Sequence, residues 1–169
     1  FCSIDRQGRF HELSPSCEKL FGYPAQTLIG QASIDLVLAE DRQQTWEETV
    51  ASMHARASHT LRNRCRHRDG RILHILWTVD WSEQEQTLFA VAHDITPLVV
   101  NEAYAESQRD ILSMISNDRP LGETLEALCL MIEAQQPGAL CSVLLLDASG
   151  QRLHTGAAPN LPPAYNQAI

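Results

Sequence analysis

The sequence has little of what several function classes require. No apolar run approaches the roughly 20 residues of a membrane-spanning helix; runs such as Val143-Leu144-Leu145-Leu146 fall far short. Positive charge is scarce: 13 Lys and Arg stand against 21 Asp and Glu, for a net charge of -8. Nucleic-acid binding needs a basic surface to neutralise phosphates, so that class is excluded, as is electrostatic docking on an anionic membrane. Five cysteines make an odd count with no CxxC pair, which points to free thiols in a reducing cytoplasm rather than a disulfide framework or a zinc site. No Gly-rich phosphate loop, HExxH or GxSxG is present, and no catalytic residue is assigned. The hydrophobic fraction of 44% is that of a globular chain. The start at Phe1-Cys2-Ser3-Ile4 reads as that of a fragment without a signal peptide.

What is present reads as an α+β pattern. Ser3 to Asp5 and Arg9 to Leu13, joined at Gly8, form a hairpin. Ser14 is placed as an N-cap with Pro15 in the first turn, and Gly22 closes the short helix Cys17–Phe21. Pro24 to Gly30 gives another helical turn. A longer helix runs from Asp41 to about Ala57, with Trp46, Val50 and Met53 on its apolar face. Glu40, Asp41, Glu47 and Glu48 read as its solvated side. Three strands follow. Leu61, Asn63, Cys65 and His67 alternate with Arg62, Arg64, Arg66 and Arg68, so the arginines face water and the others face inward. Asp69-Gly70 turns the chain. Leu73, Ile75, Trp77, Val79 and Trp81 share one face of the next strand, and Thr87 to Ile95 form the last. Strands separated by a helical block imply an α+β domain with helices covering one sheet face.

The stretches Ser16-Cys17-Glu18-Lys19-Leu20-Phe21-Gly22-Tyr23, Leu28-Ile29-Gly30, Arg68-Asp69-Gly70-Arg71 and His93-Asp94-Ile95-Thr96, in that order and spacing, resemble the PAS family. The resemblance covers residues 1–96, with the first strand expected to be clipped. It implies a five-stranded antiparallel sheet cupping a ligand or a packed core. It also implies that Asp94 and Thr96 tie the sheet to the exiting helix and relay the signal; from the residues alone Thr96 is an N-cap.

Residues 97–118 read as a signalling helix. Leu98, Asn101, Ala105, Gln108, Leu112 and Ile115 lie at coiled-coil spacing, and a homodimer is expected. Residues 119–169 give a second helix with Leu121, Leu125, Leu128 and Ile132 on one face, stopping at Pro137-Gly138, and a hairpin of Cys141–Leu146 and Arg152–Gly156. Leu144-Leu145-Leu146-Asp147 and Ala158-Pro159-Asn160-Leu161-Pro162 are similar to the beginning of GAF domains, implying an incomplete one. PAS and GAF domains in this arrangement precede cyclic-di-GMP synthases or phosphodiesterases (GGDEF and EAL domains), neither of whose signatures appears here; a sensor histidine kinase is the runner-up.

The ligand-pocket candidates are Trp46, Asn63, Cys65 and Trp77, with Trp81 in the same inward row. A small molecule would find apolar walls and a few placed polar groups there; the competing reading is a solid core in a ligand-free dimerisation scaffold. No cofactor is assigned, with haem and a non-covalently bound flavin beside the strand tryptophans kept as disfavoured alternatives. Haem-binding PAS sensors use a histidine early in the long helix, where this sequence has Trp46, with His54 two turns later. Light-sensing flavin relatives use an Asn-Cys-Arg-Phe-type motif, whereas Cys17 sits in Ser16-Cys17-Glu18. The expected role is a cytoplasmic sensory input module, responding to a small molecule or redox state.

Overall fold

The computed structural model describes residues 1–54, 58–136, 138–162 and 164. The chain divides into two compact units, Phe1–Val99 and Val100–Ile169.

The first unit holds strands β1 (Cys2–Asp5), β2 (Phe10–Leu13), β3 (His59–Arg66), β4 (Ile72–Ser82) and β5 (Thr87–Asp94). They form one antiparallel sheet in the order β2-β1-β5-β4-β3. Between β2 and β3 lie helices α1 (Pro15–Phe21), α2 (Ala25–Leu28) and α3 (Arg42–His54), with short 3-10 turns at Ser33–Leu36 and Ala39–Asp41. The period-2 pattern of β3 and β4 places its residues as expected. Leu61, Asn63, Cys65, Leu73, Ile75, Trp77 and Val79 are buried, while Arg62, Arg66 and Arg68 are exposed. The core lies between this face and the helices.

Local chemistry sets the helix ends. Gly22 adopts φ +77° and donates its N–H to Glu18 O, closing α1. A Cβ at Gly22 would sit 2.5 Å from His67 Cε1. Gly22→Ala is therefore expected to destabilise the unit by about 1–2 kcal/mol, from backbone strain and displacement of His67. A denaturant midpoint measures this, and an unchanged midpoint would contradict it. Ser14 occupies the N-cap position but makes no side-chain cap bond; its hydroxyl instead meets the Phe1 amine and Ser16.

Helix α3 departs from the expected pattern. Its buried residues are Thr45 and Ser52, whereas Trp46 is 48% exposed and Val50 and Met53 are half-buried. Small hydroxyl residues thus take its most buried positions. The expected extension to Ala57 lies outside the described residues. Asp41 does not simply solvate a helical face: it accepts bonds from Arg64 Nε (2.9 Å), Arg64 Nη2 (2.6 Å) and the Arg64 backbone N–H (2.9 Å).

Helix α4 (Thr96–Ser116) begins in the first unit and continues in the second. Leu98, Leu112 and Ile115 on its expected seam are exposed. The second unit also contains α5 (Leu121–Gln135) and a hairpin of β6 (Val143–Leu146) and β7 (Leu153–Ala157) turned at Asp147–Gly150. Thr124 and Cys129 are the buried residues of α5, with Leu125 and Leu128 half-buried. Leu121 and Ile132 are exposed, so the packed face is rotated from the one expected. The expected stop at Pro137 lies outside the described residues. No helix among them is long and apolar enough to cross a membrane.

Candidate ligand-binding site

A cavity of about 80 Å³ lies between α3 and the inner face of the sheet. Its walls are mostly apolar, with Ile4, Val37, Leu61, Val79 and Leu88 among them. Its polar residues are Thr45 and Thr49 from α3, Asn63 from β3, Gln7 from the turn after β1 and Ser33 from the first 3-10 turn.

Asn63 organises this end of the core. It is 7% exposed, and a buried amide must be paired or cost free energy. Its Oδ1 accepts a 2.9 Å bond from Trp77 Nε1 and a 3.4 Å contact from the Cys65 thiol. Its Nδ2 donates to Thr45 Oγ1 at 3.3 Å. All of these partners are side chains, and they join β3, β4 and α3.

The four expected pocket residues occupy three different situations. Asn63 and Trp77 both line the cavity. Trp77 also belongs to the core, stacking on Phe21 at 6.1 Å between ring centroids and 16° between planes. Trp46 lines the cavity from α3 while half-exposed, at its mouth over Gly8. Cys65 does not reach the cavity. It is fully buried, and burial pushes its thiol up to about 12. Trp81 lies outside the cavity as well, its indole N–H bonded to Glu83 Oε2 at 2.9 Å. Thr45 and Thr49 were not expected at the site. The available signal is their i,i+4 spacing with Ser52 one turn further on, a hydroxyl stripe along an otherwise charged helix.

At the exit of the sheet, Asp94 Oδ1 accepts the Thr96 backbone N–H at 2.9 Å. Asp94 therefore caps α4, correcting the reading of Thr96 as the N-cap. The Thr96 hydroxyl is used elsewhere: its Oγ1 accepts the backbone N–H of His74 on β4 at 2.8 Å. His74 pairs with Arg64 across the β3–β4 ladder, next to Asn63.

The Arg64 pairing holds the Asp41 carboxyl below its ordinary value of 3.8, chiefly through the side-chain hydrogen bond. A lowered folded-state value means that the stabilisation is present above the unfolded value and is lost as pH falls through the folded one. Asp41→Asn is thus expected to lower stability at neutral pH, with the gap to wild type narrowing below about pH 3.8. Urea midpoints across pH 2.5–7 measure this, and a gap independent of pH would contradict it.

Residues 10–88 match the family model described as the PAS fold. Over 76 residues, 45% of this chain, the sequence is 41% identical to a methyl sulfide methyltransferase-associated sensor of Methanosarcina acetivorans, and the match spans 8% of that protein's length. The PAS domain of a protein from Colwellia psychrerythraea superposes with a TM-score of 0.50 at 26% identity, covering 57% of this chain and 85% of the other. The PAS domain of the Cronobacter turicensis RpfR quorum-sensing receptor, solved with C12:0, superposes with a TM-score of 0.50 at 19% identity, covering 56% and 91%; at that identity the likeness is one of fold. The first unit holds a PAS domain.

Proposed function

We propose that this PAS domain is the sensory input of a cytoplasmic signal-transduction protein. A small molecule enters the cavity beneath α3, and the resulting shift passes through β3 and β4 to the start of α4. One observation carries this reading: the residue that pairs the cavity's polar side is one step along β3 from the residue facing His74, and His74 is bonded to Thr96. A ligand that repositions Asn63 thus acts on the strand neighbour of Arg64, whose cross-strand partner His74 is hydrogen-bonded to the exit helix. Coupling of only about 1–3 kcal/mol between cavity and helix is enough for regulation. Burial pushes both Cys2 and Cys65 up to about 12, which keeps these two core thiols protonated and supports small-molecule sensing over redox chemistry at either of them.

The reading extends to assembly and output. Exposed Leu98, Leu112 and Ile115 on α4 support a homodimer seam. Leu112→Glu is expected to convert dimers to monomers in light scattering, and an unchanged dimer would contradict the seam. The resemblance of residues 119–169 to the start of a GAF domain supports a cyclic-di-GMP synthase or phosphodiesterase as the output, with a histidine kinase second.

The test of the sensory reading is mass spectrometry of the supernatant released when the purified chain is denatured. Ala90→Leu extends a cavity-lining side chain into the space. The wild type is expected to release a small molecule that the folded variant has lost. Identical supernatants from the two proteins would favour the ligand-free scaffold.

A further inference from the structure

We infer that the cavity selects a small, uncharged, mostly aliphatic molecule carrying one hydroxyl or carbonyl oxygen, which sits against Thr45 and Thr49; this rests on the cavity being a ligand site. The walls contain no Asp, Glu, Lys, Arg or His. The nearby Asp41 and Arg64 satisfy one another. A carboxylate, phosphate or ammonium entering here would be desolvated without an opposite charge, the costliest outcome for a buried group.

Of the cavity's polar residues, Gln7, Ser33, Thr45, Thr49 and Asn63, the two threonines stand together on α3 and supply the polar recognition. Thr45 is 8% exposed, and its Oγ1 accepts the Asn63 amide. Among the described residues its hydroxyl proton has no acceptor, so it is available to an oxygen in the cavity. Thr49, one helical turn on, donates its own proton to Thr45 O at 2.7 Å and so presents only lone pairs. A ligand hydroxyl can accept from Thr45 and donate to Thr49, whereas a carbonyl uses the first contact alone. The volume of about 80 Å³ suits a few heavy atoms, with a longer chain leaving past Trp46 at the mouth.

Titration of the 169-residue chain with four compounds of similar size tests this by NMR, reading the Trp77 indole and Asn63 side-chain amide signals. The compounds are 1-butanol, butyrate, butylammonium and 1-chloropropane, at pH 7. 1-Butanol is expected to shift both signals saturably. Both ions are expected to bind at least about tenfold more weakly. 1-Chloropropane, which lacks the oxygen, is expected to bind about three- to tenfold more weakly than 1-butanol. Thr45→Val removes the preference for 1-butanol over 1-chloropropane. If Thr45→Val loses its dispersed spectrum because Asn63 is left unpaired, Thr49→Val is read instead and is expected to reduce the same preference by about threefold. Butyrate or butylammonium binding as tightly as 1-butanol overturns the inference while leaving a ligand site in place. An unchanged alcohol preference in the folded threonine variant likewise overturns the assignment to those hydroxyls. Silence of the cavity signals toward all four compounds overturns the ligand-site reading itself.

Discussion

Phe21→Ala is expected to lower the stability of the PAS domain by about 3–5 kcal/mol, the range for truncating a buried phenylalanine. Phe21 is 1% exposed at the end of α1, and its ring stacks on Trp77. Its backbone carbonyl also accepts the Arg68 N–H at 2.9 Å, fixing the helix end beside the turn between β3 and β4. The close-packed surroundings cannot collapse into the space without moving that junction. Against a total stability of about 5–15 kcal/mol, this single change brings the domain near unfolding. Urea denaturation followed by tryptophan fluorescence measures the loss. Val91→Ala on the exposed face of β5 is the control, expected within about 0.5 kcal/mol of wild type. A loss below about 1 kcal/mol for Phe21→Ala would contradict the packing described.

Asn63→Leu is expected to cost about 2–4 kcal/mol although leucine is apolar and similar in size. The substitution leaves the Trp77 indole N–H without its 2.9 Å acceptor, and a buried unpaired donor costs about 1–3 kcal/mol. Loss of the Thr45 and Cys65 contacts adds to this. The origin of the penalty is testable, since replacing both partners of a buried bond is far milder than removing one. Adding Trp77→Phe to Asn63→Leu is therefore expected to cost less than the two single effects summed, with a favourable coupling of about 1 kcal/mol or more in the double-mutant cycle. Additive single effects would mean that the Asn63–Trp77 bond is not what holds this part of the core.

The alternation of β3 and β4 made the sheet face legible, and with it Asn63 and Trp77: a polar residue in an inward row needs a partner or a ligand. On α3, apolar spacing selected Trp46, Val50 and Met53, and Trp46 and Met53 do line the cavity, but it missed Thr45, Thr49 and Ser52, whose hydroxyls pair with the helix backbone or with Asn63 and so tolerate burial. Cys65 was legible as inward but not as lying beyond the cavity, since β-strand periodicity fixes a face and not a depth. The Asp41–Arg64 pair joins residues 23 positions apart, which no local pattern encodes. Asp94 and Thr96 were legible as a motif, but which of them caps α4 depends on His74 claiming the Thr96 hydroxyl. On α5, helical spacing offered more than one apolar face, and packing against β7 selected the one centred on Thr124 and Cys129.

The central claim is that occupancy of the cavity is felt at the start of α4, and amide hydrogen exchange tests it most directly. The His74 amide is held by Thr96 Oγ1, and the Val99 amide by Ile95 O in the first turn of the helix. With 1-butanol saturating the cavity, both amides are expected to change protection along with the Trp77 indole, at the same midpoint concentration. Thr96→Val removes the side-chain part of the tie between β4 and α4 and leaves the bond from the Ile95 N–H to His74 O. The Val99 response is therefore expected to shrink while the Trp77 response remains. A Trp77 response in the wild type with His74 and Val99 unchanged would contradict the account, leaving a cavity that binds without signalling to the helix.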